Sequence, residues 1–198
     1  MHLDRLKRQL EFIVEIDKLK QIFRQSVLIE DRRNENDAEH SWHITIMAMI
    51  LKEHFIHSDV DLLKAMKMTI IHDLVEIYAG DTFCYDEEGN GDKLERELKS
   101  AKKLFSILPH DQEDELWELW EEFEQRNTKE AKFAACLDRL QPLLLNSMTE
   151  GHTWKRPEVH KDKVLERNMI LKENAPALWD KVLDILENAV DKGQLKVV

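Results

Sequence analysis

Apolar residues recur every three or four positions along nearly the whole chain, and this period constrains the fold more than any other feature. The first segment shows it at Leu3, Leu6, Leu10, Ile13 and Ile16. Similar segments follow, and the last two span about 158–172 and 176–192. Helices with one apolar face bury that face by packing against one another. The pattern therefore predicts a single all-α domain of about six to eight helices, with no β-strand.

Turn-forming residues and cysteines are scarce, which narrows the class of protein. The chain has 198 residues with 5 Gly and 4 Pro, whereas a many-stranded β fold needs turn residues every 8–12 positions or so, about twice as often. Cys84 and Cys136 are too few for a disulfide framework, which favours a reducing cytoplasm. The apolar stretch 44–51 is far shorter than the roughly 18 residues of a membrane span, and no signal-peptide pattern is present. We therefore expect a cytoplasmic protein with no membrane partner.

The charge balance is acidic, with 29 basic and 40 acidic side chains and a formal net charge of −11. Proteins that bind duplex nucleic acid normally carry a basic stripe, and the sequence has none, so no such partner is expected. The acids are concentrated at 111–124, a pattern typical of a solvated helix face. Small phosphorylated molecules stay compatible with this charge, because a metal ion or an arginine overrides the overall field locally.

Capping residues mark several helix starts. Asn36 with Glu39 three residues later forms a capping box before the second helix. Asp59 is the expected N-cap of the third helix. Asn127 with Glu130 predicts another capping box, which opens the most apolar helix of the chain.

The third helix carries the strongest functional signal. His72, Asp73 and Glu76 interrupt a run of large apolar residues, and Asp81 follows just beyond the Gly80 that ends the helix. Burying such polar groups is costly unless each is paired or bound to a metal ion. Residues three and four apart lie on one side of a helix, so these side chains are expected to cluster.

A second His-Asp pair provides an internal comparison. His110-Asp111 follows Pro109 in polar surroundings, where Asp111 is interpreted as a helix cap. The first copy differs in its apolar surroundings and in its neighbouring acids. A His-Asp pair alone is therefore weak support for a site, and the context of each copy decides its interpretation.

Two further residues extend the candidate site. His40 lies in the first turn of the second helix, and Asp138 lies inside the most apolar helix. Taken singly, His40 is typical of a cap region, and Asp138 is typical of an ion pair with Arg139. Together with His72 and Asp73 they form a credible ligand set for one divalent ion. Imidazole and carboxylate suit Mn²⁺, Fe²⁺, Co²⁺, Zn²⁺ or Ni²⁺, and spacing does not choose among them.

The order of His40, His72-Asp73 and Asp138 resembles the H…HD…D signature of the HD-domain metal-dependent phosphohydrolases. The likeness is closest to the subgroup that includes the bacterial 5′-deoxynucleotidases and the eukaryotic HD-domain-containing protein 2. Members of that subgroup have a Glu three residues beyond the Asp and Gly-Asp at the helix end, as this chain has at Glu76 and at 80–81.

This resemblance covers about residues 15–150 and has consequences for the whole chain. It implies one helical HD domain over 1–198, with the metal-site core at about 20–150 and the helices of 158–192 packed on it. It also implies one divalent metal ion (Mn, Co, Fe, Zn, Ni or Mg). The implied metal ligands are His40, His72, Asp73 and Asp138.

The resemblance also implies how the remaining residues act. Glu76 and Asp81 would be catalytic, because they would orient or deprotonate the attacking water and assist the leaving oxygen. Arg24 would hold the phosphate, a role that suits its planar and permanently charged fork. The implied substrate contacts are Arg24, Asp73, Asp81 and Asp138. Thr82 is a further candidate contact, because the loop at 81–86 is expected to border the pocket mouth, although an ordinary connecting loop is the alternative.

The likeness stops at the neighbour of this arginine. The subgroup has an aromatic residue beside it that helps to select the sugar, whereas Gln25 follows Arg24 here and Phe23 precedes it. The preference between ribose and deoxyribose therefore stays open. Arg32 and Arg33 are rival phosphate holders, although adjacent loop arginines are typical of surface charges.

The resemblance implies hydrolysis of the phosphomonoester of nucleoside 5′-monophosphates, small phosphorylated substrates, by a homodimeric enzyme. Two alternatives remain open from the sequence. One is an HD-type phosphodiesterase or nucleoside triphosphate hydrolase. The other is a non-catalytic helical protein that is stabilised by a metal ion and senses a nucleotide.

Overall fold

A computed structural model describes residues 2–197 of the chain, and most of them are helical. Seven of the α-helical segments have ten residues or more, which agrees with the expected six to eight helices. Short 3₁₀ turns at 16–21, 52–54 and 72–75 extend or join them. The α-helices are α1 (His2–Glu15), α2 (Asp37–Leu51), α3 (Leu62–Ile71), α4 (Glu76–Ala79), α5 (Lys93–Phe105), α6 (His110–Gln125), α7 (Lys129–Met148), α8 (Lys161–Arg167), α9 (Met169–Asn174) and α10 (Pro176–Asp191).

A small hairpin was missed by the sequence analysis. Strands β1 (Phe23–Val27) and β2 (Asn34–Asn36) pair antiparallel, with Phe23 opposite Asn36 and an irregularity within the ladder. The expectation of no strand was wrong here, because strands this short and this polar show no clear alternation of apolar and polar residues. The hairpin matters for the site, since β1 carries Arg24.

Two apolar clusters build the core, and α7 belongs to both. Phe133 and Leu137 on α7 pack with α2, α9 and α10, whereas Ala134 and Ala135 pack with α3, α5 and α6. Leu137 is fully buried. Because α7 lies between the clusters, a polar residue on it is held by packing from both sides. No helix among residues 2–197 combines the length and the apolar character that a membrane crossing requires.

The predicted helix caps are partly correct. Asn36 and Glu39 form both hydrogen bonds of the capping box, which confirms that prediction. The cap of α3 is Asp61, which accepts a hydrogen bond from the Lys64 backbone N–H, and so the expectation for Asp59 was wrong. Asp59 instead pairs with a lysine at the start of α7. Neighbouring acids compete for the same cap, and sequence alone places helix ends only to within about two residues.

The start of α7 shows a similar displacement. Its N-cap is Thr128, whose hydroxyl accepts a hydrogen bond from the Ala131 backbone N–H, and not Asn127. Thr and Asn are both effective caps, so the sequence offers two adjacent candidates. The displacement leaves Asp138 inside the helix, as expected.

Candidate active site

The four residues expected to bind a metal ion lie together. His40 comes from the first turn of α2, His72 and Asp73 from the 3₁₀ turn after α3, and Asp138 from the middle of α7. Nε2 of His40 lies 3.1 Å from Oδ1 of Asp138 and 3.9 Å from Oδ2 of Asp73. Nε2 of His72 lies 3.1 Å from Oδ1 of Asp73 and 3.8 Å from Oδ1 of Asp138. Three separate elements thus aim two imidazoles and two carboxylates at one point.

The backbone at His72 departs from the continuous α-helix that the sequence suggested. α3 ends at Ile71, and residues 72–75 form a tight 3₁₀ turn before α4. In a 3₁₀ turn, side chains three residues apart eclipse one another. Carboxylate oxygens of Asp73 and Glu76 consequently lie within 4.8 Å of each other. The tighter winding brings the two acids onto one line that faces α2 and α7.

The donor atoms fit a divalent cation. Nδ1 of His72 lies 3.1 Å from the carbonyl oxygen of Thr69, so this nitrogen carries the ring proton and donates it. Its buried Nε2 then has a lone pair and finds no hydrogen-bond partner among the residues described. Two carboxylates nevertheless face that lone pair. A bound cation removes this repulsion, and ligand atoms of His40, His72 and Asp73 lie within 4.8 Å of one another.

A buried amide fixes the orientation of His40, and the sequence analysis missed it. Nδ1 of His40 lies 3.1 Å from Oε1 of Gln141, to which it donates, and so Nε2 faces the acids without a proton. Nε2 of Gln141 donates to Oε1 of Glu35 at 2.6 Å and lies 3.2 Å from Nδ1 of His43. Burial raises the pKa of Glu35 to about 7. The detectable signal is that Gln141 stands three residues after Asp138 in an apolar helix.

Arg24 enters the site from β1 and is held by acids. Its NH1 group donates to Oδ2 of Asp73 at 2.8 Å and to Oδ1 of Asp37 at 3.4 Å. Asp37 is fully buried and was not predicted. Burial, together with the nearby Asp73 charge, raises the pKa of Asp37. The guanidinium offsets the negative charge of these carboxylates and leaves its Nε without a hydrogen-bond partner among the described residues.

Glu76, Asp81 and Thr82 line the same cavity. Burial raises the pKa of Glu76 well above its ordinary value, and the neighbouring acids, Asp73 first, raise it further. Burial also raises the pKa of Asp81, while the positive charge of Arg24 opposes that rise. The Thr82 hydroxyl accepts a hydrogen bond from a guanidinium at 3.0 Å, which leaves its own proton free to donate. Burial therefore shifts both carboxyl groups toward the protonated form, and the shift is larger at Glu76 than at Asp81.

A cavity of about 370 Å³ opens onto this cluster and contains nearly all of the predicted residues. His40 is fully buried behind its wall. Gln25 also lines the cavity, and its side chain accepts a hydrogen bond from Arg156. Arg32 and Arg33 are not among the lining residues. Arg33 instead forms a bidentate ion pair with Glu39 on α2. Four basic lining residues were not predicted as substrate contacts: Lys93, Arg126, Arg139 and Arg167.

The second His-Asp pair lies on the surface, away from these groups. α6 begins at His110 without a side-chain cap, so the expectation that Asp111 caps this helix was wrong. Asp111 instead pairs with Arg5 at 2.6 Å, and His110 pairs with Asp114 at 2.9 Å. The sequence context thus separates the two copies correctly, although the role of the second differs from the one expected.

Comparison with known sequences gives consistent matches. A family profile described as the HD domain matches residues 16–179. The human protein named 5′-deoxynucleotidase HDDC2 is 30% identical over 142 residues, which cover 71% of this chain and 68% of that protein. The bovine protein of the same name is also 30% identical, over the same share of this chain and 67% of its own length.

Solved structures agree with the sequence matches. A predicted metal-dependent phosphohydrolase from Magnetospirillum magnetotacticum is 47% identical, with a TM-score of 0.93 over 98% of this chain and 97% of that chain. An HD-domain phosphohydrolase from Listeria innocua is 19% identical and has a TM-score of 0.65 over 92% of each chain. The second likeness shows a shared fold.

Proposed function

Because this chain belongs to the HD-domain family of metal-dependent phosphohydrolases and is an enzyme, we propose that it hydrolyses the phosphomonoester of nucleoside 5′-monophosphates. The observation that carries the proposal is the convergence of two imidazoles and two carboxylates beside a cavity that also holds Glu76 and Asp81. The name of the human relative supports this substrate class. The cytoplasm is the proposed location, supported by two free thiols at Cys84 and Cys136.

We propose that His40, His72, Asp73 and Asp138 hold one divalent ion, which is Mn, Co, Fe, Zn, Ni or Mg. A divalent ion in such a site lowers the pKa of a bound water toward neutrality and withdraws charge from a phosphate oxygen. The nitrogen and oxygen donors suit all of these metals to different degrees. We also propose a single HD domain over 1–198. Its support is that Trp179 on α10 packs in the same apolar cluster as residues of α2, which carries His40.

The acids of the cavity divide the proton transfers between them. The raised pKa of Glu76 favours its protonated form, which can donate a proton to the leaving ribose oxygen. Asp81 is the better base, because Arg24 favours its ionised form. Arg24 and the Thr82 hydroxyl donate to phosphate oxygens and so position the phosphate for attack.

A phosphate-release screen tests this function directly. Metal-free protein is supplied with Mn²⁺, Co²⁺, Mg²⁺ or Zn²⁺ and offered ribo- and deoxynucleoside mono- and triphosphates and a phosphodiester. We expect metal-dependent release from the monophosphates only. Preferential release from triphosphates or cleavage of the diester would instead support the other HD-domain activities. The ratio of the ribo to the deoxy rates decides the sugar preference at Gln25.

Replacing Gln141 with Leu is expected to weaken metal binding about 10- to 100-fold. The change removes the amide oxygen that accepts the His40 Nδ1 proton, and so the ring is free to turn or to change tautomer. Calorimetric titration of metal-free protein with Mn²⁺ measures the effect. Gln21→Leu is the control, because it makes the same chemical change at an exposed position that lines neither this cavity nor the groove between α1 and α3. Unchanged affinity in a folded Gln141→Leu protein would contradict this role.

We also propose that the enzyme is a homodimer that joins through an apolar groove between α1 and α3. Among the described residues, the charged ones that line this groove are Lys67 on α3 and Glu115 on α6, and they neutralise each other in an ion pair at 2.6 Å. A second copy of a strongly acidic chain can cover such a surface without burying an unpaired charge. The groove-lining apolar residues include Leu6, Leu10, Ile13, Leu63, Met66 and Ile70.

Leu63→Glu is expected to convert the dimer to a monomer, because it places a charge on this groove. Light scattering measures the mass, which should fall from twice 23.5 kDa to 23.5 kDa. Met148→Glu is the matched control, since the exposed fractions of the two side chains are 66% and 59% and Met148 lies outside the groove. A wild-type protein of single-chain mass would refute the dimer.

A further inference from the structure

Three arginines form the wall of the cavity on the Asp138 side of the site. Arg139 follows Asp138 on α7, Arg126 ends α6, and Arg167 ends α8. None of the three was needed for the roles assigned above. They lie in a chain with a net charge of −11, so their gathering in one cavity is not a consequence of overall composition.

Two of these guanidiniums have no protein partner. Arg139 pairs with Oδ2 of Asp138 at 3.0 Å, whereas neither Arg126 nor Arg167 forms an ion pair or a side-chain hydrogen bond with any described residue. Nε of Arg126 is buried as well as unpartnered. Burial, together with repulsion from Arg139, lowers the pKa of both Arg126 and Arg167. Arg126 and Arg167 are half-buried, and a positive charge removed from water in part and without a counter-charge is costly, a cost that an anionic ligand relieves.

The backbone at Arg126 adds a second sign that the side chain matters. This residue is the C-cap of α6 with φ of 52°, in the left-handed region that helix ends normally fill with Gly. Arginine has no conformational advantage there. Its long side chain, however, reaches the cavity that Arg139 and Arg167 also line.

The two sides of the cavity differ in how their positive charge is used. On one side Arg24 donates through its NH1 group to two carboxylates, Asp73 and Asp37, while its buried Nε has no partner among the described residues. On the other side, Oδ1 of Asp138 faces the two imidazoles while its Oδ2 faces Arg139, so the arginine wall begins directly behind the proposed metal ligands. The unmatched charge of Arg126 and Arg167 lies further along that wall.

We propose that Arg126, Arg139 and Arg167 form a second anion-binding subsite, which takes a further phosphate group of the substrate besides the one that is hydrolysed. This inference rests on the proposed function and makes its substrate class narrower. The preferred substrates are nucleotides with two phosphates, on different positions of the sugar or in a diphosphate chain. For a 3′,5′-bisphosphate, water supplies the oxygen of the released phosphate, the bond from phosphorus to the 5′ oxygen breaks, and that oxygen takes a proton. For a 5′-diphosphate, water attacks the terminal phosphorus, the bond from that phosphorus to the bridging oxygen breaks, and the nucleoside 5′-monophosphate leaves with that oxygen.

The test compares three substrates with the wild-type enzyme and with Arg167→Gln. The substrates are adenosine 5′-monophosphate, adenosine 3′,5′-bisphosphate and adenosine 5′-diphosphate. Arg167→Gln is expected to lower kcat/KM about 10- to 100-fold for a substrate with a second phosphate and less than about threefold for the monophosphate. Whichever two-phosphate substrate shows the loss identifies where the second group is attached. Arg5→Gln is the matched control, because it removes a surface guanidinium from α1.

Two results would overturn the subsite. Equal losses on all three substrates would mean that the wall holds only the phosphate being hydrolysed, and no loss on any would mean that it holds no anion. Arg126→Gln removes a second arginine of the same wall and is expected to show the same selective loss. Thermal melting of each variant shows whether a loss of activity comes from misfolding. Arg167→Lys, which keeps the charge but loses the fork, is expected to lie between the wild type and Arg167→Gln.

An equilibrium measurement keeps this inference separate from the hydrolytic activity. Adenosine 3′,5′-bisphosphate is titrated into metal-free wild-type and Arg167→Gln protein, where no turnover is expected. Binding that weakens about 10-fold or more in the variant supports the subsite even if the wild-type enzyme releases no phosphate from any nucleotide. Equal binding by both proteins rejects the subsite, whatever the outcome of the activity screen.

Discussion

Asp73→Ala is expected to lower kcat/KM for a nucleoside monophosphate by at least about 1000-fold, because metal-ion catalysis supplies several kcal/mol. Oxygens of Asp73 lie 3.1 Å and 3.9 Å from Nε2 of His72 and of His40, so its removal opens the donor set. It also releases Arg24, which donates to the same carboxylate. Phosphate release is measured with saturating Mn²⁺, and bound metal is measured by elemental analysis of the dialysed protein.

The second His-Asp pair supplies the control for this experiment. Asp111→Ala makes the same chemical change after a histidine, on a surface where Arg5 is the one side-chain partner of Asp111 among residues 2–197. That variant should keep the activity and the metal content of the wild type. If Asp73→Ala retained both metal and turnover while remaining folded, the proposed metal centre would be wrong.

Glu76→Gln has the second largest expected effect, a fall in kcat of about 100- to 1000-fold with metal binding kept. The amide is close in size to the carboxyl group but cannot donate an acidic proton to the leaving oxygen. Single-turnover phosphate release and metal titration are measured on the same sample. Loss of turnover with unchanged metal binding indicates a catalytic role for Glu76. A purely structural metal site would show no turnover even in the wild-type protein.

Glu97→Gln is the matched control, because Glu97 and Glu76 are both buried and both lie near the Lys93 ammonium, at 3.2 Å and 3.8 Å. Each substitution replaces a carboxyl group beside that lysine with an amide, so a general effect of changing the surroundings of Lys93 would appear in both variants. A comparable loss of kcat in the two would argue against a specific proton transfer by Glu76. Loss of metal and fold together in Glu76→Gln would favour the non-catalytic alternative.

The part of the site that the sequence predicted consists of polar residues at positions where the surrounding pattern predicts apolar ones. His72, Asp73 and Asp138 are polar residues in strongly apolar helices, and burial without partners would be so costly that each demands an explanation. The structure brings them together with His40, as the family resemblance implied. The capping box before α2 was equally readable, because its signal lies within four residues.

The remaining part of the site depends on contacts between distant segments. Gln141 and Glu35 are 106 residues apart, so the polar position of Gln141 in an apolar helix does not by itself identify its partner. Arg126 and Arg167 stand at helix ends, where basic residues are common for local reasons. The hairpin that carries Arg24 is too short for a periodic pattern. Only the packed fold shows that these charges face one cavity.

The position of α7 between the two apolar clusters also affects how the enzyme unfolds on heating. Helices α8 to α10 cannot detach without exposing Leu137, and α5 and α6 cannot detach without exposing Ala134. The two halves therefore share a single cooperative unit, in which partial opening of either half loosens the other. Asp138 lies on that shared helix, so catalytic activity and the folded fraction of the protein should fall together on heating. We therefore expect no populated unfolding intermediate in which one half stays folded while the active site is lost.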